Sequence, residues 1–205
     1  MTKRLWLAQA VGNALLAGLA WVWLGLGDAE IWQLAITAVL GLMVVCGSLW
    51  LHGGTMASFR LGATAWGRAA LALPWLLVWL AAAAAAAWGA IRYGRTAGPW
   101  LAPLLVLLLL PVAGALATDG VRSLARSEAW KPFRNWRFLV IAPLVGAAAG
   151  FAAYRLIWWV PGLNGLTMQA LSAAVRLGLA YLILVTAWVV ILALAGRAAK
   201  PAGVE

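Results

Sequence analysis

The chain has 205 residues, of which 66% are hydrophobic and 10% are charged, whereas soluble domains carry about 25% charged residues. A single cysteine, Cys46, excludes an internal disulfide and a multi-cysteine metal site, and a single histidine, His52, excludes a histidine-rich metal or haem cage built within the chain. The composition predicts an integral membrane protein without a cofactor. The net charge of +10 comes from basic residues at the ends of apolar segments, which favours contact with anionic lipid headgroups over nucleic acid.

Six segments are long enough to cross a bilayer, whose core needs about 20 apolar residues in a helix. We therefore predict an all-α polytopic membrane protein and a single membrane-embedded domain over residues 1–205. The predicted helices lie near 5–26, 31–52, 69–91, 99–118, 138–160 and 174–196.

The first two segments contain the polar residues that stand out in an apolar chain. Lys3 and Arg4 precede an apolar stretch as in a signal peptide, but a clear cleavage site is missing, so we interpret the stretch as a retained helix. Asn13 lies well inside it, and we expect it to hydrogen-bond to another helix or to line a cavity. His52 stands beside Gly53 at the predicted inner end of the second helix. A lone histidine there is usually a surface residue, and we predict that the chain is not an enzyme.

The third segment contains seven consecutive alanines, Ala81 to Ala87. Helices in lipid associate by close van der Waals packing, which small residues permit. We predict that Ala81, Ala84 and Ala87 pack against neighbouring helices on every side and make the third helix central. Gly146 and Gly150 in the fifth segment have the spacing of a small-residue surface that could meet them. The alternative is that the alanines only reflect an alanine-rich genome.

The linker between the fourth and fifth segments is the longest and most basic. Its basic and aromatic residues favour either a contact with the anionic inner leaflet or a docking surface for a cytoplasmic partner. The residues of this predicted surface are Arg122, Arg126, Trp130, Lys131 and Arg134.

Arginines at the opposite ends of the helices are the best candidates for a binding site. Arg92 and Arg155 each adjoin a tyrosine, Tyr93 and Tyr154, and Arg176 lies near the predicted start of the last helix. Because a guanidinium group binds phosphate through two parallel hydrogen bonds, these residues could bind an anionic substrate or headgroup. Alternatively, each side chain extends to water at the interface without a specific ligand.

Tryptophans indicate the depth of the segments. Twelve of the 15 fall near predicted helix ends, as in an aromatic belt. Trp75, Trp79 and Trp188 lie deeper, and are the better candidates for helix packing or for a ligand pocket.

The basic residues also predict the orientation. Eleven of the 15 fall on the side of the two termini and four on the opposite side, which by the positive-inside rule places both termini in the cytoplasm. The helices then form three hairpins flanked by arginine. Arg68 precedes Pro74 by six residues, as Arg137 precedes Pro143. This spacing indicates either a pseudo-threefold repeat or merely the basic flanks common to membrane proteins.

Two functions remain open from the sequence. The first is a non-enzymatic subunit or scaffold in a bacterial inner membrane, with a membrane-protein partner or a second copy of the chain. The second is a small permease or a lipid- or anion-handling transporter with a cavity between hairpins. The bacterial assignment follows from the richness in Arg, Ala, Gly and Trp, which is typical of a GC-rich genome.

Overall fold

The structure is a computed structural model that describes residues 2–26, 30–125, 135–162 and 165–198. All regular secondary structure in these ranges is helical, and six helical stretches are long and apolar enough to span a membrane. The predicted all-α class with six membrane-length helices is therefore confirmed. The seven α-helices are α1 (Thr2–Gly25), α2 (Ile31–Leu61), α3 (Trp66–Leu71), α4 (Leu73–Tyr93), α5 (Gly98–Asp119), α6 (Trp136–Trp158) and α7 (Leu166–Ala198).

Helix α2 continues nine residues beyond the end predicted at residue 52. The glycine pair within α2 does not end the helix. Both glycines instead lie where side chains of other helices approach closely. A Cβ at Gly53 would lie 3.0 Å from Leu76 Cδ1, and a Cβ at Gly54 would lie 2.2 Å from the Trp66 ring. The helix ends instead at Gly62, whose φ of 72° is left-handed and whose N–H donates to the carbonyl of Ser58.

The predicted third helix is divided into the short α3 and the longer α4, with Pro74 in the first turn of α4. Proline fits a first turn, where its missing N–H needs no partner. Pro143, at the equivalent distance from an arginine, lies inside α6. The same spacing in sequence therefore corresponds to two different local structures.

Helices α2 and α5 each pack against five other α-helices. Helix α5 contacts α2, α3, α4, α6 and α7, and helix α2 contacts α1, α3, α4, α5 and α7. The segment of α2 from Gly53 to Arg60 is buried throughout. The prediction of a central third helix contacted on every side is wrong: α4 packs mainly against α5, with Leu76 and Ala83 as its buried residues. An alanine run can pack against many different helix surfaces, so it does not determine which helix becomes its neighbour. The glycines of α2, in contrast, each accommodate a particular large side chain.

One end of the bundle is held by contacts between charged and aromatic residues of different helices. The Arg60 Nη2 atom lies 3.0 Å from Asp119 Oδ2, and the Arg60 side chain is only 3% exposed. The Arg197 guanidinium lies 5.8 Å from the centre of the Phe59 ring, and Phe59 packs in a buried cluster with Leu5. We call this the basic end; it contains the start of α1 and the ends of α2, α5 and α7.

Candidate functional site

A cluster of polar side chains links α1, α2 and α7 inside the bundle. Gln9 is fully buried, and its Nε2 atom donates to the carbonyl of Leu51 at 3.1 Å and to Thr55 Oγ1 at 2.7 Å. Asn13 Nδ2 donates to Gln9 Oε1 at 2.8 Å. Because the carbonyl of Leu51 can only accept, these bonds determine which end of the Gln9 amide faces α2.

His52 connects this cluster to α7. The indole N–H of Trp188 donates to Nδ1 of His52 at 3.2 Å. An indole nitrogen can only donate, so Nδ1 accepts and the ring proton lies on Nε2. Gln9 Oε1 also lies 3.2 Å from Nδ1, but two acceptors form no hydrogen bond. We assign His52 the tautomer whose Nε2–H is the donor, because a proton on Nδ1 would donate to Gln9 Oε1 but would leave the Trp188 N–H without this acceptor.

An apolar cavity of about 260 Å³ lies beside the cluster, between α2, α4, α5 and α7. His52 and Trp188 form part of its wall, together with Trp79, whose indole N–H donates to the carbonyl of Leu109 at 3.1 Å. The remaining wall is apolar apart from Ser48. Trp79 and Trp188 are thus two of the three deep tryptophans that the sequence indicated for packing or a pocket.

Replacing Gln9 with leucine is expected to lower the free energy of unfolding by about 1 kcal/mol, because two interhelical hydrogen bonds are lost and such bonds average about 0.6 kcal/mol each in membrane proteins. The measurement is SDS titration of the folded protein in mixed micelles. Asn13→Leu is the matched control, since the bonds of Asn13 recorded in the structure stay within α1. An equal loss in the two variants would contradict the interhelical role of Gln9.

The outer arginines occupy different environments. Arg92 and Tyr93 lie in the last turn of α4 and are exposed. Tyr154 and Arg155 lie on α6 and line a cavity of about 460 Å³ with Trp158 and Trp159. Neither Arg92 nor Arg176 lines that cavity, so a joint anion site of the three arginines stays a prediction.

Arg176 lies in the third turn of α7, because that helix begins at Leu166 and not near residue 174 as predicted. Its Nη1 atom donates to the carbonyls of Ile157, at 3.0 Å, and of Trp159. Its Nε atom donates to the carbonyl of Ser172. A cation at the carboxyl end of α6 satisfies carbonyls that the helix leaves free and complements its dipole. The contacts of Arg176 thus join α6 to α7.

The residues predicted for helix packing differ in burial. Ala81 and Ala84 are exposed and Ala87 is half-buried. Gly146 lies against α7, where a Cβ would be 3.7 Å from Ile191 Cδ1, and a Cβ at Gly150 would meet no described residue within 4 Å. Helix α6 packs mainly against α7, so the predicted meeting of these glycines with the alanine run is not what holds α6.

The predicted cytoplasmic surface falls largely outside the described residues. Arg122 is exposed after the end of α5. The other predicted members lie in the range 126–134, outside the described residues: Arg126, Trp130, Lys131 and Arg134.

Sequence reasoning missed two features of the interior. Gln9 was not distinguished, although it stands one helical turn before Asn13 and the pair marks a polar face of α1. Asp119 was not paired with Arg60, because nothing local relates the ends of α2 and α5.

The chain matches no protein-family model, no curated protein and no solved structure.

Proposed function

We propose that the chain is a non-enzymatic subunit or scaffold that packs against another membrane protein in a bacterial inner membrane. Both termini lie in the cytoplasm in this proposal. The contacts at the basic end support that orientation, because they bring Arg60 and Arg197 to the end of the bundle where α1 begins. Arginine on the cytoplasmic side follows the positive-inside rule.

The exposed face of α4 is the observation that carries the proposal. This helix buries Leu76 and Ala83 against the bundle, and it leaves Ala81, Ala84 and Ala85 exposed. A helix surface of alanines gains little from lipid, but it allows the backbone of another helix to approach closely. A membrane-protein partner whose helix packs on this face would make use of that property.

Exposed glycines on other helices support the same reading. A Cβ at Gly150 of α6 or at Gly178 of α7 would meet no atom of the described residues within 4 Å. Glycine weakens a helix relative to alanine by about 0.8–1.0 kcal/mol in water, so an exposed glycine within a helix is more useful where a neighbour approaches it. Both glycines therefore lie where a helix of another membrane protein could pack against the chain.

The hairpin arrangement also belongs to this proposal. Consecutive helices pack extensively in the pairs α1 with α2, α4 with α5, and α6 with α7, which supports three hairpins. The pseudo-threefold repeat stays a prediction, and the different structures around Pro74 and Pro143 argue against it.

The test is extraction of the chain from its native membrane in polymer-bounded lipid discs, followed by mass spectrometry of everything that is co-extracted. We expect a stoichiometric membrane protein that is lost in Ala84→Trp. Leu15→Trp is the matched control, because Leu15 is an exposed leucine on α1 and should tolerate another large apolar side chain in lipid. Recovery of the chain without a partner would contradict the subunit proposal, and equal recovery of a partner in the two variants would contradict its packing on α4.

A second candidate function is lipid or anion handling, favoured by the cavity that contains Tyr154 and Arg155 beside two tryptophans. A guanidinium group and indole rings at helix ends suit a phosphate headgroup. In the same extraction, this function predicts a retained anionic lipid that is lost in Arg155→Gln and kept in Arg92→Gln.

A further inference from the structure

The apolar cavity between α2, α4, α5 and α7 has the size and lining of a site for a small lipophilic molecule. Its volume is about 260 Å³, and the wall includes Met56, Trp79 and Trp188. For comparison, an apolar protein cavity of about 150 Å³ binds benzene, and pockets for drug-sized ligands begin near about 300 Å³. The space therefore suits a compact ring compound.

Two polar side chains of α2 line this otherwise apolar wall. Ser48 and His52 are four residues apart, so they lie on one face of the helix, one turn from each other. Several hydroxyl residues in the helices donate to the carbonyl four residues earlier, as Thr55 does to Leu51 and Thr118 does to Gly114, whereas Thr37 of α2 has no hydrogen-bond partner among the described residues. Among the described residues, the structure records no hydrogen bond for the Ser48 hydroxyl.

The second polar group is the Nε2–H of His52. Nδ1 is engaged by Trp188, which places the ring proton on Nε2, and no described residue is recorded as the acceptor of that proton. Ser48 and His52 thus supply two hydrogen-bond donors from adjacent turns of α2. An apolar space with unsatisfied donors on one wall favours a ligand that is apolar apart from an acceptor oxygen on that side.

We propose that this cavity binds a lipophilic ring compound with a carbonyl oxygen, which accepts hydrogen bonds from Nε2 of His52 and from the Ser48 hydroxyl. A carboxylate is disfavoured because, among the residues that the structure describes, no Lys or Arg lines the cavity to offset its charge. A pure hydrocarbon is disfavoured because the two donors would stay unsatisfied. The inference goes beyond the proposed subunit role, and it holds whether or not the chain has a protein partner.

The test uses the full chain in lipid nanodiscs and the photoreactive ketone benzophenone as the probe. Illumination inserts benzophenone into nearby C–H bonds, and peptide mass spectrometry locates the label. Competing compounds are fluorenone and fluorene, which share one shape and differ in the carbonyl group. We expect saturable labelling of α2 around Met56, with fluorenone competing at about 25-fold lower concentration than fluorene, the effect of two net hydrogen bonds of about 1 kcal/mol each.

Single substitutions test whether Ser48 and His52 donate the hydrogen bonds that favour fluorenone. Ser48→Ala and His52→Phe should each reduce the advantage of fluorenone over fluorene to about fivefold, because one of the two hydrogen bonds remains. Ala113→Leu should abolish labelling by filling the cavity. Ser172→Ala is the matched control, since Ser172 lies on α7 and does not line the cavity. Because His52→Phe also removes the bond to Trp188 and could disturb folding, Ser48→Ala decides the result.

Three outcomes would overturn the proposal. Labelling could be unsaturable or could map outside the cavity wall. Fluorenone and fluorene could compete equally in the unmodified chain. Ser48→Ala could leave the advantage of fluorenone unchanged. The partner experiment above is independent, because its variants lie on the outer faces of α1 and α4, so failure of one proposal does not imply failure of the other.

Discussion

Replacing Asp119 with alanine is expected to lower the free energy of unfolding by about 3 kcal/mol, at the lower end of the range for breaking a buried ion pair by removing one partner. The Arg60 side chain is 3% exposed and that of Asp119 is 28% exposed. The substitution therefore leaves a cation in a poorly solvated position without this carboxylate. Titration with SDS in mixed micelles measures the change.

Two further variants test the physical reason for this loss. The double variant Arg60→Leu/Asp119→Leu should recover part of the stability, because a buried ion pair can often be replaced by apolar residues at little cost. Arg92→Leu is the control for loss of a charge at an exposed helix end, and it should change stability by less than about 0.5 kcal/mol. If Asp119→Ala were as mild as Arg92→Leu, the pair would not hold α2 to α5.

Replacing Gly54 with alanine is expected to cost about 2 kcal/mol through overpacking. The added Cβ would lie 2.2 Å from Cε3 and 2.6 Å from Cζ3 of the Trp66 ring. The ring cannot retreat easily, because Trp50 packs against it at 5.4 Å and donates from its indole N–H to the carbonyl of Trp66. The new methyl group therefore pushes α3 away from α2.

Gly18→Ala is the matched control for this substitution. Gly18 lies in α1, and a Cβ there would meet nothing within 4 Å in the part of the chain that the structure describes. Its replacement should leave stability unchanged or raise it slightly, since alanine is the better helix former. Thermal unfolding in nanodiscs, followed by tryptophan fluorescence, distinguishes the two. Similar midpoints for Gly54→Ala and the original chain would show that α3 does not pack closely on α2.

Only some of the residues that line the cavity could be identified from the sequence. Trp79 and Trp188 could be selected from the sequence because they lie away from predicted helix ends, and both line the cavity. Ser48 had no local feature to distinguish it from other helical hydroxyl residues. Its missing backbone bond and its position one turn from His52 on the cavity wall become visible only when all four contributing helices are assembled.

The sequence by itself determined the environment and the helices, because a bilayer requires long apolar segments whose backbone is satisfied internally. Six such segments were visible without knowledge of their neighbours, and most ends were predicted to within a few residues. Packing was decided by the tertiary structure. Hydrophobicity does not determine which helices become neighbours in lipid, so neither the alanine run nor the glycine pair of α2 showed which helices would have the most contacts. Specific contacts determine the neighbours instead: Gly54 packs against Trp66, Gln9 hydrogen-bonds to α2, and Arg60 pairs with Asp119.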